Sequence, residues 1–168
     1  METLKQFFEV FAKPNQNLLD FRFLVVCVTG FAGFFRIQEL LGVQLKHIAI
    51  QSNHMRVFLP HSKVDQHRDG ETVYIARTGT KYCPVALMES FLEKTGLDLD
   101  KDENAFLIPR LFKTKNGHRA SKDKGISYTR MNEVFHECAQ PFNHKGDNWG
   151  LHSLRSGGAS SAANHGVP

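Results

Sequence analysis

The sequence contains little of what disulfide frameworks, metal centres and membrane spans require. Its three cysteines, Cys27, Cys83 and Cys138, are well separated and form neither a metal-binding spacing nor a disulfide framework. Free cysteines of this kind are typical of a reducing intracellular compartment. No apolar stretch reaches membrane-spanning length, and the residues after Met1 do not form a secretory signal. We therefore expect a soluble, intracellular protein without a membrane partner.

Length and charge predict one domain with an anionic partner. The 168 residues fall within the usual range of a single domain, and 41% of them are hydrophobic, which is enough for a substantial core. Lys and Arg total 21 against 17 Asp and Glu, for a net charge of +4. This modest excess favours an anionic partner without requiring one. We expect residues 1–168 to form a single domain.

Hydrophobic periodicity predicts an α+β fold that is mainly helical with a small three-stranded antiparallel sheet. Apolar residues recur at helical spacing over residues 4–12, 17–31, 37–41, 85–94 and 127–139, and a last helix begins near residue 151. Three strand-like runs cover residues 47–51, 55–59 and 72–76 and fit an antiparallel meander. The polar stretch 112–125, with its two glycines, predicts an exposed loop. Adjacent glycines at 157 and 158 weaken a helix, which predicts close packing of another backbone there.

The most informative stretch, residues 149–160, contains a histidine and an arginine three positions apart. His152 and Arg155 stand at the start of a predicted helix, where this spacing places them on one face. A guanidinium beside a titratable imidazole suits an anionic oxygen whose neighbour gains or loses a proton, and phosphate is the commonest such group. A second arginine, Arg36, lies far upstream in Gly-Phe-Phe-Arg-Ile-Gln-Glu-Leu, and Lys63 lies between them in Ser-Lys-Val-Asp-Gln.

In this order and context, the three segments resemble the catalytic domain of the tyrosine recombinases, also called the phage integrase family. The resemblance covers residues 18–168. The Lys-x-Asp-Gln form of the middle segment and the Cys83-Pro84-Val85 entry to the next helix are most similar to recombinases of eukaryotic mobile elements, for which a nuclear location is expected. The resemblance implies DNA recombination or integration, with double-stranded DNA and other recombinase subunits as partners. It implies neither a metal nor a cofactor.

The resemblance also implies a role for each of these side chains. Arg36 and Arg155 would hold the scissile phosphate, whose charge in the transition state rests on the equatorial oxygens. Lys63 would give a proton to the departing 5′ oxygen, and His152 would transfer protons and hydrogen bond to the phosphate. Glu39, three residues after Arg36, matches the acidic position that orients the catalytic arginines.

Each assignment has a simpler alternative when the residue is taken alone. Arg36 with Glu39 is typical of a surface ion pair, and a lysine such as Lys63 is typical of a solvated loop. His152 alone is typical of a helix cap or a packed core residue, and Arg155 of a bridge to an acid. The surrounding residues, Gly-Phe-Phe-Arg in one segment and Gly-Gly-Ala in the other, favour the phosphate site instead.

A basic run lies between residues 113 and 130, where the only acid is Asp123. The basic residues of this run are Lys113, Lys115, Arg119, Lys122, Lys124 and Arg130. One interpretation is a solvated loop, and the other is a set of contacts to DNA phosphates. Such contacts are sensitive to salt and contain little sequence information.

The 168 residues contain no candidate for the family's nucleophile. That tyrosine follows the His-x-x-Arg box and is preceded by a His or Trp, whereas Tyr74, Tyr82 and Tyr128 all lie upstream. We interpret the chain as a C-terminally truncated catalytic domain, whose parent would recombine DNA through a 3′-phosphotyrosine intermediate. The alternatives are a non-catalytic DNA-binding remnant of a mobile-element recombinase and a protein-interaction domain that retains the fold.

We predict that this chain forms no covalent link to DNA by itself, because the nucleophile is missing from it. A nicked suicide duplex, from which the cleaved end diffuses away, traps any 3′-phosphotyrosyl product. Denaturing electrophoresis after incubation should resolve only free chain and free DNA, while a recombinase that has its tyrosine serves as the positive control on its own site. An adduct formed by this chain would contradict the assignment.

Overall fold

The computed structural model describes residues 2–60, 70–142 and 149–166. The helices in these ranges are α1 (Glu2–Phe11), α2 (Leu18–Ala32), α3 (Ile37–Leu41), α4 (Pro84–Thr95), α5 (Tyr128–Ala139) and α6 (His152–Asn164). The strands are β1 (Ile48–Ile50), β2 (His54–Leu59), β3 (Glu71–Ala76), β4 (Pro109–Thr114) and β5 (Gly117–Gly125). The predicted fold class, mainly helical with a three-stranded antiparallel sheet, is confirmed. None of the described helices combines the length and apolar composition needed to cross a membrane.

Helix α2 forms the centre of the core because it is apolar on nearly every side. Residues 23–27 are fully buried, as expected for a helix without a polar face. Helices α1, α4, α5 and α6 all pack against α2. At its start, the Asn17 side chain accepts a hydrogen bond from the Asp20 backbone N–H at 2.9 Å, which satisfies one of the free donors of the first turn.

The three-stranded sheet is the predicted meander, in the order β1–β2–β3. In the central strand, Val57 lies opposite Ile48 of β1 and Val73 of β3. Met55, Val57 and Leu59 are buried, and the residues between them are partly or fully exposed. This alternation places one face of the sheet against the helices and leaves the other toward solvent.

The prediction of an exposed loop over residues 112–125 is wrong. Strands β4 and β5 form an antiparallel hairpin there, with Phe112 opposite Arg119 and Lys113 opposite His118. The turn between them ends at Gly117, whose φ of 129° lies in the region that favours glycine. The sequence pattern did not predict the hairpin, because charged side chains at its exposed positions replace the apolar alternation by which strands are recognised.

The remaining predicted helices are confirmed, and their ends follow from capping residues. Pro84 is the first residue of α4, and Gly96 ends that helix in a left-handed conformation with φ of 66°. The Ser127 side chain caps α5 by accepting a hydrogen bond from the Arg130 backbone N–H at 3.2 Å.

Helix α6 packs against α2 through a glycine, so that backbone atoms come into direct contact. A Cβ atom on Gly158 would lie 2.2 Å from the carbonyl oxygen of Phe31 and 2.8 Å from the ring of Phe34. One turn earlier, the buried Leu154 packs beside Gly30 of α2. The close packing of another backbone that the paired glycines predict is therefore confirmed.

Replacing Gly158 by Ala should destabilise the fold by about 1–3 kcal/mol, because the new methyl group overlaps the Phe31 carbonyl. Gly157→Ala is the matched control, since a Cβ atom there meets only the Phe31 ring, at 3.5 Å. The control should leave stability unchanged or raise it by up to about 1 kcal/mol through its higher helix propensity. Urea unfolding followed by circular dichroism measures both, and equal effects would disprove the packing argument.

Candidate active site

A cleft of about 420 Å³ lies where three helices begin. Arg36 immediately precedes α3, Tyr128 is the first residue of α5, and His152 is the first residue of α6. The residues that line this cleft are Phe35, Arg36, Ile37, Gln38, Tyr128, Leu151, His152 and Arg155. The structure thus brings together three of the four predicted catalytic residues, although they are distant in sequence. The partial positive charge of helix N-termini adds to that of the arginines.

Arg36 is held by the acidic residue that the sequence singles out. Its backbone is extended, with φ of −69° and ψ of 127°, and its Nη1 lies 3.1 Å from Oε1 of Glu39. The Glu39 side chain is only 12% exposed, whereas that of Arg36 is 35% exposed. The carboxylate therefore lies behind the guanidinium and engages one of its nitrogens. A simple ion pair and an orienting role for Glu39 both predict this contact. Arg36 also faces the cleft.

His152 and Arg155 are exposed on the first turn of α6. Neither side chain has a hydrogen bond or an ion pair with any residue in the part of the chain that the structure describes. Among those residues, His152 is no helix cap or core residue, and Arg155 is no bridge to an acid, so the simpler alternatives have no support there. The donors of His152 and Arg155 are therefore free, within the described residues, for an external anion, whereas Arg36 uses one nitrogen for Glu39.

Lys63 lies in residues 61–69, outside the described residues. The position of Lys63 relative to the cleft is therefore not described, and its catalytic role stays a prediction.

Tyr128 and Gln38 line the cleft but were not selected from the sequence as members of this site. The Tyr128 side chain is exposed, and 42% of its surface remains accessible. Its capping neighbour Ser127 marks a helix start in the sequence, but no local pattern indicates that α5 and α6 begin at the same place. Only the tertiary packing of these two helices brings Tyr128 to the cleft.

The six basic residues of the 113–130 run divide into two groups. Lys122 forms an ion pair with Asp102 at 2.8 Å, and Arg130 contacts Glu133 at 2.8 Å and Glu137 at 3.5 Å. The other members are exposed and form no ion pair within the described residues: Lys113, Lys115, Arg119 and Lys124. The predicted DNA contacts remain a prediction, and these four are the side chains that are free to make them.

A buried arginine of α2 hydrogen bonds to the backbone at the start of the hairpin. Arg22 of α2 is only 3% exposed, and its Nη1 donates a hydrogen bond to the carbonyl oxygen of Pro109, where β4 begins, at 2.9 Å. Burial, together with repulsion from Arg130, lowers the pKa of the Arg22 guanidinium to about 10. The group therefore stays charged at neutral pH and adds to the positive potential of this region. Sequence reasoning missed it because a charged residue within an apolar helix gives no sign of its partner.

The order of helices and strands is the one expected from the resemblance to a tyrosine recombinase catalytic domain. No protein-family model matches the chain. Among curated proteins, it is 27% identical over 168 residues to the integrase/recombinase XerD homolog of Selenomonas ruminantium. This match covers 99% of the chain and 46% of that protein, so the chain spans less than half the length of its curated relative.

Solved structures of tyrosine recombinases share the fold. The XerH site-specific recombinase, in a pre-cleavage complex with difH substrate, matches with a TM-score of 0.65 at 12% identity, over 96% of this chain and 41% of that one. The XerA recombinase matches with a TM-score of 0.63 at 14% identity, over 98% and 50%. An FLP recombinase–Holliday junction complex matches with a TM-score of 0.61 at 13% identity, over 99% and 40%. In fold and in sequence, the chain is therefore similar to tyrosine recombinases.

We predict that Arg36 and Glu39 are coupled by about 0.5–1 kcal/mol in a double-mutant cycle, because the carboxylate is largely shielded from water. The cycle compares Arg36→Met, Glu39→Gln and the double variant by urea unfolding. Arg130 and Glu133 provide the matched control, since they have the same residue types and spacing but are about half exposed. The coupling should be smaller there, and additive effects at Arg36 and Glu39 would show that the contact orients nothing.

Proposed function

We propose that this chain is the DNA-binding catalytic segment of a site-specific recombinase. In the full-length protein, it would cleave and rejoin DNA strands by phosphoryl transfer through a 3′-phosphotyrosine intermediate. The observation that supports this most strongly is the shared cleft of Arg36, His152 and Arg155, in which the last two have no partner among the described residues. Side chains from two distant segments meet there, and only Nη1 of Arg36 is engaged by an acid among the described residues.

The chemistry that we propose for the cleft is charge stabilisation and proton transfer at one phosphate. In the transition state, negative charge rests on the equatorial oxygens, and Arg36 and Arg155 would offer N–H donors to these oxygens in advance. His152 would hydrogen bond to the same phosphate and transfer protons. Lys63 would give a proton to the departing 5′ oxygen, which otherwise leaves as a strongly basic alkoxide. Glu39 would orient Arg36 without touching DNA, and the mechanism uses no metal or cofactor.

Outside the cleft, the hairpin would bind the DNA backbone. Lys113, Lys115, Arg119 and Lys124 are the proposed phosphate contacts, because their charges are not neutralised by acids of the described chain. Lys122 and Arg130 belong to the same proposed surface, but each already has a carboxylate partner, so we expect each to contribute less. Together these contacts would hold the duplex with little dependence on its sequence.

The solved relatives support DNA as the partner. XerH was captured with difH substrate, and FLP with a Holliday junction. By analogy, we propose double-stranded DNA as the ligand of this chain and further recombinase subunits on the same DNA as its partners. Because the chain spans less than half of these relatives, the assembly and the complete reaction belong to the full-length protein.

Replacing Arg155 by Ala should weaken binding to a fluorescent DNA duplex about tenfold at low salt, as expected when one charge-assisted phosphate contact is lost. The slope of log affinity against log salt should fall by about 1. The free energy of unfolding should change by less than about 0.5 kcal/mol, because the side chain is exposed and has no internal partner. Fluorescence anisotropy across a salt series and urea unfolding measure these quantities.

Arg56→Ala is the matched control for this experiment. Arg56 is exposed on the solvent face of β2, opposite Tyr74, and does not line the cleft. Its loss removes the same charge but should change affinity less than twofold. If Arg155→Ala instead unfolds the chain and leaves affinity unchanged, Arg155 is a structural residue and the phosphate site is refuted.

A further inference from the structure

The two faces of the β4–β5 hairpin have different surroundings. Paired residues in an antiparallel hairpin lie on the same face, so Leu111 and Ala120 share one face while Phe112 and Arg119 share the other. Ala120 is buried, with 8% of its surface exposed, so its face is turned toward the protein. The face with Phe112 and Arg119 is therefore turned away from it.

The outer face contains an aromatic ring between two arginines. Phe112 is half-buried but is not among the residues that pack on the hydrophobic core. The guanidinium of Arg110 lies over its ring, 5.2 Å from the centroid, and Arg119 is its neighbour across the strands. We call these three residues the Arg110–Phe112–Arg119 strip. Neither arginine has an acidic partner in the described part of the chain.

The cation–π contact orders the Arg110 side chain before any ligand binds. An arginine held against an aromatic ring keeps its planar fork exposed and loses less conformational freedom on binding. Arg130, by contrast, has its guanidinium engaged by two carboxylates. A guanidinium that is ordered and whose N–H donors are unpaired is suited to two acceptors in one plane, such as the O6 and N7 atoms of guanine.

We propose that the β4–β5 hairpin enters the major groove of duplex DNA with the Arg110–Phe112–Arg119 strip against the base edges. The proposal rests on the DNA binding proposed above. A two-stranded ribbon fits the major groove, which is about 12 Å wide, but not the minor groove, which is about 6 Å wide. The arginines would bond to guanine, which assigns Arg119 to a base edge and leaves the phosphates to Lys113, Lys115 and Lys124, and Phe112 would contact an adjacent thymine methyl group. The hairpin is thereby the element that determines sequence preference.

The position of the hairpin next to the cleft supports contact with the same duplex. β5 ends at Gly125, and Tyr128, three residues later, lines the cleft. β4 is six residues long, so the hairpin extends about 20 Å from its base. A duplex with its phosphate in the cleft therefore has a groove within reach of the strip.

The test uses the whole 168-residue chain and a library of duplexes with a randomised central segment. Repeated selection for bound duplexes should yield a guanine-containing preferred sequence. Arg110→Ala, Phe112→Ala and Arg119→Ala should each reduce affinity for that sequence about tenfold while affinity for unselected duplexes falls less than threefold. Arg56→Ala is the matched control, because it removes the same charge from an exposed position on β2 that lies outside the hairpin and the cleft, and it should have little effect.

Arg110→Lys separates base contacts from phosphate contacts, because it keeps the charge but loses the fork. It should weaken binding to the selected duplex as much as Arg110→Ala does. Replacing the selected guanines by 7-deazaguanine removes the N7 acceptor and should weaken the wild-type chain more than Arg110→Ala, which keeps only the Arg119 contact. Arg110 and Arg119 are exposed and Phe112 is half-buried, and circular dichroism establishes that each variant is folded.

Several results would overturn the proposal. Full retention of affinity by Arg110→Lys, equal losses on all duplexes, or indifference to 7-deazaguanine would each reduce the strip to phosphate contacts. Competition by netropsin, which occupies the minor groove, would show that the hairpin binds the minor groove and not the major groove. If Arg155→Ala weakens binding and the strip variants do not, only the strip fails. If the wild-type chain binds no duplex, the proposed function fails with it.

Discussion

The close contact between α2 and α6 determines where the cationic side chains of this protein meet. Gly158 lies so near the Phe31 carbonyl that no side chain fits at this position between the two helices. The chain leaves α2 through a tight turn in which Phe34 has a positive φ of 51° and Phe35 is buried. This turn brings Arg36 to the cleft from one side, while α6 brings His152 and Arg155 from the other. A wider separation of the helices would move these groups apart.

Gathering cations in one cleft is unfavourable in the absence of an anion. Among the described residues, no acid lines the cleft, and Glu39 engages Arg36 from behind. Arg22, at the base of the hairpin, also lacks an acidic partner among the described residues, and burial lowers the pKa of its guanidinium without neutralising it at neutral pH. The hydrophobic core around α2 must offset this repulsion. An anion that enters the cleft relieves it, which is the physical basis of a preorganised phosphate site.

The sequence predicts most of the fold, because the helices and the meander are determined by local periodicity and capping. Asn17, Ser127, Gly42 and Gly96 mark helix ends in the structure as they do in the sequence. The convergence of Arg36 with the His152 segment was predicted only through the family resemblance, since no local pattern relates positions so far apart. The β4–β5 hairpin was missed because its strands are cationic, and Tyr128 was missed because its place at the cleft depends on tertiary packing.

Net charge alone also gives a misleading account of the basic run. In the sequence its six cations are equivalent, but the fold divides them by whether an acid is near. Lys122 reaches Asp102 and ties β5 to the segment before β4, and Arg130 interacts within its own helix. Arg110, which lies outside the run, is instead ordered by an aromatic ring and keeps its donors free. Because a paired cation must give up its partner before it binds DNA, the residues that the fold leaves unsatisfied define the binding surface better than the local charge does.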